Sequence, residues 1–257
     1  MEQPDIPAAS TGSAVTTHEA GPEAPVLQTE NLGGGYGRKQ VVFDVNLHVG
    51  SGEIVSIIGH NGGGKTTTLK TIFGMLPAMS GSITYRGADV TKASCRHNVK
   101  AGMSIIPAER FVFGDLTVED NLRLGAGHEP SMDIRRQRLE RVQEIFPILA
   151  KRSGQRAGTM SGGEQRMLSL GLALMGGPKL LLLDEPSLGL APALVTDIFA
   201  RVRSLANTDG LAVLLLEQNV GQVVRIADRV YAMRSGRIFL EETADQMKSR
   251  SQYWDLF

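Results

Sequence analysis

An α/β fold is predicted by three observations. Residues 53–70 read as a buried strand, a glycine loop and a helix start in immediate succession. Residues 180–183 are four leucines that run into Asp184 and Glu185, and residues 211–216 form a second apolar run that ends in Glu217, Gln218 and Asn219. A short, continuous apolar run of this kind suits a parallel strand buried on both faces, and the polar residues behind it then lie at a strand's carboxyl end, where open α/β sheets meet their ligands.

The chain has 257 residues, 42% of them hydrophobic, enough for one substantial core or one core with a satellite subdomain. Lysine plus arginine number 27 and aspartate plus glutamate 27, so no global positive field exists to attract nucleic acid. Cys95 is the only cysteine, which excludes an internal disulfide and suits a reducing compartment. No apolar run approaches the length of about 20 residues needed to cross a bilayer, and the first residues lack a signal-peptide pattern. Any membrane association is therefore expected to come through a partner.

Taken in order, residues 1 to about 25 are rich in Pro, Ala, Ser, Thr and Gly and are expected to be a disordered tail. A strand is predicted at 26–32, followed by glycines around Tyr36, which reads either as an adenine platform or as a turn tyrosine capping the sheet. Residues 41–49 alternate apolar and polar, so an antiparallel β lobe precedes the glycine loop. In the loop, Gly59, Gly62 and Gly64 permit a bend that turns backbone N–H groups inward, and the helix from about Thr66 adds its positive dipole end. Gly59, His60, Asn61, Gly62, Gly63, Gly64, Lys65, Thr66 and Thr67 are thus predicted to surround phosphate groups, with Lys65 reaching the β- and γ-phosphates of ATP and the Thr66 hydroxyl facing Mg²⁺.

Beyond that helix, a strand and turn are expected at 82–87, a short helix from Ser94 to Ala101, a strand at 103–106, and a loop at Pro107-Ala108-Glu109-Arg110. From Thr117 to about Ala157 charged helices take over. Thr117-x-x-Asp120 is expected to be a capping box, and Leu139, Val142, Ile145, Phe146 and Leu149 form an apolar stripe that Pro147 should interrupt. Ser161-Gly162-Gly163-Glu164 has two readings that can hold together. It is a capping box with Met167, Leu168, Leu170 and Leu174 behind it as a buried face, and it is an anion site at a helix N-terminus. Asp184 could bind Mg²⁺ through water and Glu185 could orient or deprotonate an attacking water, the alternative being a strand followed by a helix-start acid. A core helix is expected at 192–205, Asn219 as a helix cap, a hairpin at 229–242, and a last helix with Tyr253, Trp254 and Phe257 docking its end.

The order of phosphate loop, SGGE and LLLLDE, with a helical insertion between the first two, closely resembles an ABC-type ATPase cassette over about residues 26–250. That resemblance implies a P-loop NTPase cassette with a RecA-like core, an antiparallel β lobe and a helical subdomain at about 113–160, with 251–257 as a C-terminal tail. It implies two cassettes that sandwich two ATP molecules, so that Ser161, Gly162, Gly163 and Glu164 of one subunit close on the nucleotide held by Lys65 of the other. Leu188-Gly189-Leu190 would cross the dimer interface. The runs MSGGEQRML, ALMGGPKLLLLDEPSLGLAP and LLLEQN are similar to the ATP-binding subunit of branched-chain amino-acid importers. Gln218 then stands where most such cassettes have a histidine. Its amide can bond a γ-phosphate but cannot shuttle a proton, so the base role falls on Glu185. Ala108 departs from an expected Gln or Glu and Leu172 from an expected Arg; Glu109 is the expected replacement for Ala108 near Mg²⁺. The partners implied are membrane permease subunits at the cytoplasmic face, a second cassette, and indirectly a periplasmic or extracellular solute-binding protein. A soluble ABC ATPase outside transport and a nucleotide-binding scaffold without turnover are the competing functions.

Overall fold

The structure, a computed structural model, describes residues 24–109 and 112–250. The expected tail falls almost wholly outside the described residues, as do Arg110, Tyr253, Trp254 and Phe257. Two sheets carry the fold. Strands β1 (Leu27–Tyr36) and β2 (Lys39–Val49) pair antiparallel, and after β3 (Ile54–Ile58) and helix α1 (Lys65–Phe73) the chain returns in β4 (Ala78–Tyr85) and β5 (Ala88–Asp89), giving a lobe ordered β2-β1-β4-β5. β1 is longer than its sequence suggests, because it runs on through Gly33–Gly35. There a side chain would find no room: a Cβ on Gly34 would sit 2.4 Å from the Thr71 hydroxyl of α1.

Helix α2 (Cys95–Lys100), capped by Ser94, leads into β6 (Met103–Ile106). The helices α3 (Val118–Gly125), α4 (Met132–Ile145) and α5 (Pro147–Lys151) follow, and then α6 (Gly162–Met175), β7 (Leu180–Asp184), α7 (Pro192–Asp209), β8 (Ala212–Glu217) and α8 (Val220–Val223). The hairpin β9 (Arg229–Arg234) and β10 (Arg237–Thr243) and helix α9 (Ala244–Ser249) complete the described chain. The second sheet is ordered β10-β9-β3-β8-β7-β6 and is parallel except for β10 at its edge.

The leucine run shows why this sheet is central. All of β7 is buried; Leu181 and Leu183 join the core formed with α6 and α7, whereas Leu180 and Leu182 join the core on the other face with α1 and the β lobe. Side chains alternate along a strand, so only a strand covered on both faces calls for leucine at every position. On the first of these faces Val142, Phe146 and Leu149 are buried, while Leu139 and Ile145 pack at its margin. Pro147 ends α4 and opens α5 at a position where its missing N–H costs nothing.

The helix starts differ from expectation in one case. At Thr117 the capping is one-sided: its hydroxyl accepts from Asp120 N at 3.1 Å, but the Asp120 carboxylate accepts from that hydroxyl and not from the Thr117 backbone. Aspartate is one methylene shorter than the glutamate that closes a full box. Among the described residues no helix is long and apolar enough to cross a membrane.

The β9–β10 turn joins the two sheets. Gly236 N donates to Gly63 O at 2.8 Å and Gly236 O accepts from Phe43 N at 2.8 Å, so the turn is pinned to the glycine loop and to β2 at once. Gly236 has φ 78°, and a Cβ there would lie 1.9 Å from Val41 O. Gly236→Ala is therefore expected to lower unfolding free energy by about 2–3 kcal/mol, combining a left-handed backbone with a backbone clash. Urea unfolding of the variant within about 0.5 kcal/mol of wild type would show that the turn can move away.

Candidate active site

The carboxyl ends of β3, β8, β7 and β6 lie side by side, and the first three contribute side chains to one site. After β3 the loop turns into α1 through Gly64, with φ 106° and no side-chain cap. The first N–H groups of the helix are thus left for a ligand, where the helix dipole also favours an anion. Lys65 is buried, and its ammonium donates to Gly59 O at 2.7 Å and His60 O at 3.2 Å, with Glu185 Oε1 3.6 Å away. Burial holds its pKa below the ordinary lysine range, against the opposing pull of Glu185, Asp184 and Glu217.

Thr66 reaches across to β7, although β8 lies between the two strands: its hydroxyl donates to Asp184 Oδ1 at 3.1 Å. Burial raises the Asp184 pKa, with the Thr66 hydrogen bond acting against the rise. Glu185 follows in a left-handed conformation with φ 46°, uncommon for a residue with a side chain and held here because Glu185 N donates to Leu216 O of β8 at 3.0 Å. Gln218 closes the set. Its Nε2 donates to Glu185 Oε1 and to Asn61 Oδ1, each at 2.7 Å, joining the end of β8 to both the acid and the loop. Asn219 caps α8 by accepting from Gln222 N at 3.2 Å.

Ser161–Glu164 stands apart. Ser161 Oγ accepts from Glu164 N at 3.4 Å and Glu164 Oε2 from Ser161 N at 3.0 Å, a complete capping box, while Glu164 Oε1 pairs with Arg152 at 3.0 Å. Both carboxylate oxygens of Glu164 are thus engaged in building the helix end. Ser161 and Gly162 are exposed, and a Cβ on Gly162 would meet nothing within 4 Å. Gly163 is different: a Cβ there would lie 1.8 Å from Leu194 Cδ2, so this glycine seats α6 on α7. Among the described residues, none of the hydrogen bonds of Ser161 and Glu164 reaches the loop 59–67.

Residues 42–188 match the ABC transporter family. The chain belongs to that family. It is 44% identical over 222 residues to the high-affinity branched-chain amino acid transport ATP-binding protein BraG of Pseudomonas aeruginosa, covering 86% of this chain and 94% of that protein. It is 34% identical to the lipopolysaccharide export system ATP-binding protein LptB of Escherichia coli, covering 86% of this chain and 92% of that one. A crystal structure of the ADP conformation of an ATP-binding cassette of an ABC transporter superposes with a TM-score of 0.82 at 26% identity, over 91% of this chain and 98% of that chain. This ABC cassette is accordingly an ATPase.

Three features of the cassette escape a reading of its sequence. Glu217 is buried, with burial raising its pKa, and spends its carboxylate on structure: Oε1 accepts from Ser187 N at 3.0 Å and Oε2 from Gln218 N at 3.2 Å. Arg166, 2% exposed, lies on a helix face read as apolar; the buried positions of α6 include Gly163, Arg166, Leu168, Leu170 and Ala173, whereas Met167 and Leu174 are only partly covered. Met233 and Arg234 at the end of β9 and Ser235 of the following turn form a pocket with His60, Asn61, Gly62 and Gly63. The signals for these were one arginine in an apolar stripe and the acid that ends the apolar run 211–216. Tyr36, 49% exposed, ends β1, and Thr67 is buried with its carbonyl accepting from the Thr71 hydroxyl. Glu109 is exposed, and among the described residues none of the hydrogen bonds of Thr66, Asp184 or Glu185 involves it.

Thr66 and Asp184 offer two converging hard oxygen donors, which suits Mg²⁺ completed by phosphate oxygens and water. No group of three or more His, Cys, Asp or Glu that could hold a metal by itself exists among the described residues. Because burial raises the Asp184 pKa, protons would compete with a cation held there above the ordinary carboxylate range. The Mg²⁺ concentration for half-maximal ATPase should therefore begin to rise, as pH falls, before the ordinary aspartate range is reached. A requirement that begins to rise only within the ordinary aspartate range would count against a raised Asp184 carboxyl as the ligand.

Proposed function

We propose that this cassette is the ATP-hydrolysing motor subunit of an importer for branched-chain amino acids or similar small polar solutes. It would be held at the cytoplasmic face of the membrane by permease subunits, with a solute-binding protein delivering cargo. The convergence of Lys65, Thr66, Asp184, Glu185 and Gln218 at one sheet edge supports the motor chemistry. The likeness to BraG over nearly all of that protein's length supports the substrate class.

In this reading the N–H groups of the loop and of the first turn of α1 bind the β- and γ-phosphates, and Lys65 turns from the carbonyls of Gly59 and His60 toward them. Thr66 and Asp184 would hold Mg²⁺, which when bound would supply positive charge beside the phosphates. Glu185 takes the proton of a water whose oxygen attacks the γ-phosphorus while the bond to the ADP oxygen breaks. Gln218 holds the Glu185 carboxylate in place from the end of β8 and carries no proton itself. Tyr36 provides a stacking surface for adenine. The exposed Ser161 and Gly162 close on a nucleotide held by a second cassette, and Leu188, 54% exposed, lies at that junction. Phe113, Leu116 and Leu124, exposed in and beside α3, give the helical region at about 113–160 an apolar surface for the permease.

Glu185→Gln should keep ATP binding and lower turnover by about 10²- to 10⁴-fold, accumulating an ATP-bound dimer. Hydrolysis near wild type, with a monomer on size exclusion in ATP and Mg²⁺, would remove Glu185 from the base role. Lys65→Ala should lose most ATP affinity, whereas Ser161→Arg should bind ATP and fail to close. Mixing the two variants leaves one composite site with both partners intact, so a wholly inactive mixture would oppose the two-cassette arrangement.

A further inference from the structure

Arg166 is among the largest fully buried side chains of the described chain. It stands on α6 five residues after Ser161, roughly 7–8 Å along the helix axis. Its Nη1 donates to Pro107 O at 3.1 Å and its Nη2 to Ala108 O at 3.1 Å. These two carbonyls begin the loop that leaves β6 at the edge where Asp184 and Glu185 end β7. Asp184 and Glu217 both act on the guanidinium electrostatically, opposing the lowering of its pKa by burial. A leucine would fill such a position without the cost of desolvating a cation; a planar fork that meets two successive carbonyls does something leucine cannot.

We infer that Arg166 is a positioning residue of the ATPase, fastening the 107–108 loop at the nucleotide site to the second turn of α6. Displacement of the loop is then delivered to the helix end that presents Ser161 and Gly162, and the reverse. The link is made to backbone oxygens, so it does not depend on the side chain of Ala108 or Glu109. A separate tie, between α6 and the strand β6 itself, lies farther along the helix, where the Ser104 hydroxyl donates to Ala173 O at 3.3 Å. That bond is remote from the site and gives a control. The inference rests on nucleotide binding at the loop 59–67, and not on the two-cassette arrangement; loss of ADP affinity in Lys65→Ala tests that binding separately.

The test is hydrogen exchange of the full chain with and without ADP, beside steady-state ATPase kinetics. In wild type, ADP should slow exchange at residues 108–109 and at 162–165 together. Arg166→Lys keeps the charge and loses the fork: protection should remain at 108–109 and vanish at 162–165, with ADP affinity within about threefold of wild type and kcat lower by roughly tenfold or more. Ser104→Ala should keep the joint response. A purely structural role would lower the unfolding midpoint of Arg166→Lys while leaving the joint response and the kcat of folded protein unchanged, and that result overturns the proposal. The wild-type comparison decides even where the variant fails to fold: protection at 108–109 without any change at 162–165 overturns it as well.

Discussion

Asp184, Glu185 and Glu217 end adjacent strands β7 and β8, and keeping three carboxylates together at a largely buried edge is the constraint around which the site is built. Like charges in a low-dielectric setting push one another toward protonation, and burial adds to the effect. Asp184 and Glu217 show both influences. The opposing contributions come from Lys65, from Arg166, and from directed N–H and O–H donors at Thr66, Ser187 and Gln218. A phosphate bound at this edge would therefore meet donors that are already oriented, with Lys65 close by.

The β lobe serves the same edge from the other side. Its strand β2 meets the β9–β10 turn through Phe43 and Gly236, and that turn meets the glycine loop through Gly63. The loop is thus braced by Gly236, a residue 173 positions after Gly63, and its glycines owe their places to neighbouring backbone as well. At Gly163 the distinction is sharpest. Its neighbour Gly162 faces open space, while Gly163 itself exists for the seating of α6 on α7.

Helix α6 also shows how one segment can meet two demands. Its capping box consumes the Glu164 carboxylate and one hydroxyl lone pair of Ser161, which fixes the helix start without blocking it. An end stabilised in this way, by a contribution of about 1 kcal/mol from the cap, can still offer N–H groups to an anion. The bland and the functional readings of the tetrapeptide are therefore compatible physically, because they use different atoms.

What the sequence determined is what depends on neighbours along the chain. Two-residue alternation marked β2, unbroken leucine marked the doubly covered β7, glycine spacing with Lys65 and Thr66 marked the phosphate loop, and Thr117, Ser161 and Asn219 marked helix starts, since the periodicity and the capping bonds are local. Tertiary structure alone decided the rest. That Gln218 would bond both Glu185 and Asn61, that Glu217 would hold a turn in place and not face a ligand, and that Arg166 would grip the 107–108 carbonyls all depend on the order β3-β8-β7-β6. Strand order is set by packing across the whole sheet, and no local spacing encodes which strand ends become neighbours.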